Sequence, residues 1–332
     1  MMRVGITYDL KRDYLAMGFS AEAAAEFDRD DTIEGIENAV RVLGCETDRI
    51  GHAKRLTERL VAGDRWDLVF NICEGVRGVG REAQVPAILD LYDVPYVFSD
   101  PLVLSLTLHK GMTKRIVRDA GVPTSDFCVY AEAADLEGLR FDAPYFVKPV
   151  AEGTGKGCTA KSVVRAREDL CQVCDDLVAR FGQSALIEPF LPGREFTTGI
   201  TGTGRTARTV GTMEVVLLEN AEKGIYSYSN KDHYEDRVVY RLCDTAADPV
   251  AAAAERVALD AWRALGCCDG GRVDIRCDAE ACPQFLEVNP LAGLNPTHSD
   301  LPIISRLAGI DYQELIRRIL QSACQRLGLH IG

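Results

Sequence analysis

A chain of 332 residues that is 47% hydrophobic is long enough to bury a large core and favours two or three domains. Its net charge of −12, from 50 acidic against 38 basic residues with no lysine or arginine run, argues against a nucleic-acid or anionic-membrane surface and predicts that basic residues are focused in a site. No window approaches the roughly 18 apolar residues of a membrane span, and the opening MMRVGITYDL lacks the apolar core of a signal peptide, so a cytoplasmic location is expected.

RVGITY reads as a first strand. Asp31 with Glu34 predicts a capping-box start for a helix whose Ile33, Ile36, Val40 and Leu43 share one face, closed by Gly44. DLVFNI (67–72) and PYVF (95–98) read as short buried strands, with REAQVPAILDLYD a helix between them. That β-α-β-α-β order predicts an open parallel sheet. The glycines of GVRGVG do not follow the first strand and lack the dinucleotide spacing, so a nucleotide fingerprint is not expected there.

A second unit begins near Ser99. HKGMTKRIVRDAGVPT predicts a helix stopped by Gly121 and Pro123, followed by DFCVY, PYFVKPV, a helix over 166–181 and ALIEPFL. Long antiparallel strands follow in REFTTGITG and ARTVGTMEVVLLE, then the polar segment NAEKGIYSYSNKDHYEDR, read as an active-site lid in preference to an exposed loop. A helix (249–265), strands GGRVDIRCD and PQFLEVNP, and two helices finish the chain. The twelve cysteines are dispersed as in a reducing compartment. Cys171 and Cys174 fall within a helical pattern and read as structural thiols, and Cys267, Cys268, Cys277 and Cys282 match no zinc spacing.

Two stretches carry chemistry. VKPVAEGTGKGCTAKS interleaves Gly153, Gly155 and Gly157 with Thr154 and Lys156, a composition that lets backbone N–H groups approach an anion. It is not a P-loop: Val150 stands where the first glycine belongs and Gly157 where Ser or Thr belongs. In RVDIRCDAEACPQFLEVNPLAGLNPTHSDLP, Arg272 and Asp274 share one strand face and Glu287 and Asn289 another, so a hairpin would assemble all four. Their oxygens are hard ligands suited to Mg²⁺, and the arginine suits a developing oxyanion; a solvent-facing charged strand pair is the bland alternative.

Taken together, HKGMTK, VKPVAEGTGKG, IEPFLPGREF, YSYSNK and GGRVDIRC…FLEVNPLAGLNPTHS make the chain resemble the D-alanine:D-alanine ligase family of the ATP-grasp superfamily over nearly its full length. The resemblance implies an α/β, three-domain ATP-grasp fold with an N-terminal open parallel-sheet domain, divided as 1–98, 99–191 and 192–332. It further implies ATP and two Mg²⁺ ions (Mn²⁺ being able to substitute), small-molecule carboxylate and amine substrates, and a homodimer as an allowed assembly. By position it places Lys110, Lys148, Glu152, Gly153, Gly155 and Gly157 at the phosphates, and Glu188, Phe190, Leu191 and Glu195 around the adenine and ribose. Lys231 falls on the lid, Asp274, Glu287 and Asn289 on the metals, and Arg272, Gly293, Thr154 and Ser299 on the reacting centre. The implied reaction is attack of a carboxylate on the γ-phosphate, giving an acyl phosphate that an amine then captures.

Departures concentrate at the first-substrate end. The family's N-terminal Ser and Glu motif is missing from GITYDLKRDYLAMGFSAEAAAEFD, Glu74-Gly75 stands where His-Gly is usual, Asp232 follows the lid lysine in place of Tyr, and Thr154 replaces a Ser. The expectation is a carboxylate-amine ligase for an amino acid or peptide-like acid other than D-alanine. The alternatives are D-alanine:D-alanine ligase, with Glu22 or Glu26 swinging in from a following helix, and a non-ligase nucleotide-binding protein or kinase of the same fold.

Overall fold

The computed structural model describes residues 1–218 and 234–331, arranged about three sheets. The first is parallel, in the order β2-β1-β3, from β1 (Arg3–Tyr8), β2 (Glu46–Gly51) and β3 (Leu68–Ile72). Every residue of β3 is buried, as expected of a strand covered on both faces. Helix Asp30–Val42 covers one face with Ile33, Ile36, Ala39 and Val40, spaced at three and four residues.

Several local expectations need correction. The helix starts at Asp30 with Arg29 as its N-cap and no side-chain cap, because Asp31 is engaged elsewhere, accepting from Asn295 Nδ2 at 2.9 Å. PYVF does not become a strand. It forms one bridge, Val69 to Tyr96, after which Phe98 turns to φ +78° and sends its N–H to Asp269 instead of to a ladder. The helix expected over 81–93 is a 3₁₀ turn, Arg81–Ala83, leading into Gln84–Leu91. Edge strand β2 and helix Ala53–Val61 escaped notice because the polar side chains of β2, Asp48 among them, carry ion pairs instead of an apolar stripe. Helix Pro101–Leu108 was also overlooked, although Asp100-Pro101 is a good start: Asp100 caps Val103 N and proline occupies the first turn.

The second sheet is antiparallel, in the order β4-β7-β5-β6, from β4 (Cys128–Tyr130), β5 (Tyr145–Pro149), β6 (Val163–Val164) and β7 (Ala185–Pro189). Helix Leu170–Phe181 packs on it and ends at Gly182 in the left-handed conformation. Cys174 is buried in this helix, where burial pushes its thiol up to about 12 and leaves it unreactive. The third sheet is antiparallel, β10-β9-β8-β11-β12, from β8 (Glu195–Thr201), β9 (Arg208–Leu217), β10 (Val238–Leu242), β11 (Gly270–Cys277) and β12 (Pro283–Asn289). Helix Pro249–Ala264 lies across it and buries Trp262 completely.

Helix Tyr312–Leu327 leaves the third sheet and joins the first unit. Its Leu315, Ile316, Ile319 and Leu320 share one core with Val4, Ile6, Ile36 and Val40. The two ends of the chain are therefore held together by apolar burial, which fixes the cleft between them. Among the described residues no helix is long and apolar enough to cross a membrane.

Candidate active site

The β11-β12 pair delivers the predicted four-residue arrangement. Arg272 faces Asn289 and Asp274 faces Glu287 across the ladder, with an irregularity just after Asp274. On the other side of β11, Thr197 of β8 lies opposite Asp274 and donates to its Oδ1 at 2.9 Å. Arg272 donates to the second oxygen of Asp274 and stands 3.5 Å from Asp300. Burial works against the charge of Arg272, but Asp274, Asp300 and Glu287 outweigh it and hold the guanidinium pKa above its ordinary value. The bland reading of a solvated strand pair fails, since Arg272 and Asp274 are both buried.

A cavity of about 100 Å³ lies between the second and third sheets, lined by Lys148, Glu188, Phe190, Leu191 and Glu195 along with Asp274 and Glu287. Glu188 pairs with Lys148 at 2.8 Å and with Lys114 at 2.6 Å. Burial alone would raise its pKa; the two lysines reverse that and lower it to about 2. Lys114 is completely buried and also reaches Ser125 and the Phe285 carbonyl. Sequence reasoning overlooked it, although it lies four residues after Lys110 on helix Lys110–Asp119. Glu195 meets Arg276 at 3.0 Å, and that arginine stacks over the Phe190 ring.

The glycine loop is tied to the N-terminal unit. Gly153 N–H donates to Glu26 Oε1 at 2.7 Å, and a Cβ at that position would sit 2.6 Å from the same oxygen. Lys156 bonds both Glu26 (2.9 Å) and Glu152 (2.7 Å), while Arg81 reaches Glu26 and the Ala151 carbonyl. Burial pushes the Glu26 carboxyl up, and Arg81 and Lys156 together bring it below its ordinary value. Gly157 has φ +77° and would drive a Cβ to 2.6 Å from Pro149. Thr154 is also left-handed, and its Oγ1 is buried with no partner among the described residues.

The second cavity is larger, about 530 Å³, and lies between the first sheet's loops and the end of β12. Gly293 and Ser299 are in its wall: Ser299 Oγ accepts from Asn295 N at 3.0 Å and stands 2.8 Å from where a Cβ on Gly293 would fall, so only glycine leaves that turn intact. Lys110, Glu152 and Glu287 line both cavities. Lys110 joins the other two, 3.3 Å from the Glu287 carboxylate and 2.5 Å from the Glu152 carbonyl.

Of the remaining expectations, Lys231, Asp232 and most of the proposed lid lie outside the described residues. The segment after helix Lys11–Ala16 is a series of turns and not a second helix; Glu22 pairs with Arg180 at 2.6 Å, while Glu26 is consumed by the glycine loop. Arg81 and Lys114 had no role assigned from sequence, because Arg81 meets Glu26 and Lys114 meets Glu188 from far along the chain; Glu26 was weighed only as an ammonium partner and Lys156 only as part of the glycine loop.

A cleft between two antiparallel sheets, bordered by a glycine loop and sharing a lysine and two glutamates with a second cavity, is the arrangement of an ATP-grasp enzyme. Residues 116–321 match the family model described as D-ala D-ala ligase C-terminus. Over 296 residues, 88% of this chain and 86% of the relative, the sequence is 31% identical to the D-alanine–D-alanine ligase of Bordetella petrii. Over 298 residues, 88% of this chain and 89% of the relative, it is 33% identical to that of Bordetella pertussis. The fold superposes with a TM-score of 0.72 on the crystal structure of the D-alanine–D-alanine ligase from Bacillus anthracis complexed with ATP, at 21% identity and 98% coverage of both chains. The chain belongs to the D-alanine–D-alanine ligase family and is an ATP-dependent ligase forming a carbon–nitrogen bond. Family membership decides against the non-ligase alternative.

Proposed function

We propose that this ligase activates the carboxylate of an amino acid or peptide-like acid other than D-alanine by phosphoryl transfer and passes the acyl group to an amine. The observation that carries the reading is the junction at Lys110, Glu152 and Glu287, where a nucleotide in the smaller cavity and an acid in the larger one would meet. We assign the adenine end to Glu188, Phe190, Leu191 and Glu195, and the phosphates to Lys110, Lys148 and the 153–157 backbone. Arg272 and the Gly293 N–H then face the tetrahedral oxyanion, which develops only after phosphoryl transfer. Thr154 and Ser299 are placed at the same reacting centre, Ser299 through the turn that carries Gly293. The domain division 1–98, 99–191 and 192–332 and a cytoplasmic location belong to the same reading.

The donor set fits Mg²⁺. Asp274, Glu287 and Asn289 offer two carboxylates and one amide oxygen, and the described residues contain no set of three or more His, Cys, Asp or Glu able to hold an ion alone. That is the ligand count expected where phosphate oxygens and water complete the shell, and Mn²⁺ suits the same oxygens. When bound, the ions would neutralise charge on the transferring phosphoryl group.

The N-terminal carboxylate nearest the glycine loop supports a substrate other than D-alanine. Glu26 already accepts from two cations and a backbone N–H, so its charge is largely answered before a substrate ammonium arrives. A second reading, D-alanine in both positions, is favoured by the names of the relatives. ADP release assayed over pairs of D- and L-amino acids tests the proposal. Some pair is expected to exceed D-alanine alone in kcat/KM, and D-alanine ranking first would establish the second reading.

A further inference from the structure

The larger cavity holds more carboxylate than its own cations answer. Asp28, Glu74 and Glu82 all line it. The basic groups nearby are already engaged: Arg272 with Asp274 and Asp300, Lys110 with Glu287, and Arg29 with Asp31. Arg81 lies close to both glutamates, but its guanidinium is shared by Glu26 and Glu152. Half-buried Lys11 is also in the wall and pairs with none of the three. Neither Glu74 nor Glu82 has a hydrogen bond or ion pair among the described residues. Independently, Thr154 Oγ1 and Asn289 Nδ2, whose residues line the same cavity, are buried with no partner among the described residues. Polar atoms left unpaired around one cavity mark the place of a polar ligand.

Resting on the ligase reading above, we propose that the acid substrate is a basic amino acid, and that Glu74 and Glu82 receive the ammonium or guanidinium of its side chain while its carboxylate lies toward Lys110 and Arg272. A neutral side chain would leave both carboxylates unanswered, whereas a cation on a flexible stem supplies several N–H donors at once. The electrostatics of the pocket agree with this assignment. Burial, reinforced by Glu26, raises Glu82 to about 8 against the pull of Arg81 and Lys110, and burial with Glu82 and Glu26 places Glu74 well above its ordinary range. Carboxyls so held take up protons until a cation replaces them.

The test compares lysine and ornithine with norleucine, in both stereochemical series, by calorimetric binding and by ADP release with an amine acceptor. Lysine or ornithine is expected to exceed norleucine by about ten- to a hundredfold in affinity and in kcat/KM, the range of one charge-assisted hydrogen bond. E74Q and E82Q should each reduce that ratio about tenfold or more. Should either variant fail to fold, the wild-type ratio decides the matter. Equal binding and turnover of lysine and norleucine overturns the cation site and leaves the ligase reading intact. Selective lysine binding with no ADP release for any acid and amine pair supports the cation site and overturns the ligase reading.

Discussion

Glu287 lies where every assigned function converges. It faces Asp274 across the ladder, borders both cavities and approaches Lys110 at 3.3 Å. Replacing it with Gln removes one anionic ligand without changing shape, so turnover should fall by about two orders of magnitude or more while the circular-dichroism spectrum is kept. Near-normal ADP release would displace the assignment. Arg272→Met tests a different step. The oxyanion forms after phosphoryl transfer, so ATP affinity should persist while ligated product falls by about a hundredfold or more. A variant that loses only ATP binding would show that the arginine serves the nucleotide instead. Glu188 illustrates why residue type alone misleads: an adenine-contacting glutamate reads the same in sequence as a structural one, and only the fold reveals the two buried lysines that keep it ionised.

At the scale of elements, the glycine loop depends on the N-terminal unit as much as on its own composition. Its backbone N–H at Gly153, the ammonium of Lys156 and the guanidinium of Arg81 all converge on Glu26. Gly153→Ala would put a methyl 2.6 Å from Glu26 Oε1, forcing the carboxylate away from its partners. On the proposed assignment, the loop would then lose its register over the phosphates. The KM for ATP should then rise by about tenfold, the scale of one charge-assisted hydrogen bond, with little change in thermal stability. An unchanged KM would mean that the loop holds its course without Glu26. The strand pair β11-β12 differs in that its register is set by local pairing, so its face could be read from alternation alone.

For the molecule as a whole, Asp269 is the joint between the ends. Fully buried, it accepts from Phe98 N at 2.8 Å, Thr203 Oγ1 at 3.1 Å, Ser322 Oγ at 2.9 Å and Arg326 at 2.7 Å, linking the first unit, the third sheet and the last helix. Asp269→Ala leaves the Phe98 N–H unanswered and strips the Arg326 guanidinium of its carboxylate, leaving it only the Tyr96 and Phe98 carbonyls, and unfolding in urea should show a loss of about 3 to 5 kcal/mol. A loss below about 1 kcal/mol would remove this residue from the joint. Substrate-side carboxylates give the empty protein a distinct pH response. Asp28 and Glu82 are both raised to about 8 in the folded state, against a carboxylate range near 4 when unfolded. Their contribution is fully present below about pH 4 and is lost as pH rises through 8, so the melting temperature of the unliganded enzyme should fall over that interval, and E82Q should flatten the fall. A melting temperature that climbs from pH 5 to 9 would contradict the burial of these groups.

What the sequence determined by itself were the features written in short-range pattern. These are the strands over 3–8 and 68–72, the amphipathic helix over 30–42, the glycine loop at 153–157, and the alternation that sets Arg272 and Asp274 against Asn289 and Glu287. Each depends on neighbours within a few residues or on one hairpin, so periodicity and glycine content suffice. Tertiary structure alone decided the rest. It diverted Phe98 from a fourth strand to Asp269, brought Glu26 across 127 residues to Gly153, buried Lys114 beneath Glu188, and turned Glu74 and Glu82 into one cavity. Such charged contacts leave no periodic trace, because a buried ion pair needs only one partner of opposite sign at the right place in space, and the chain reaches that place through core packing of its two ends.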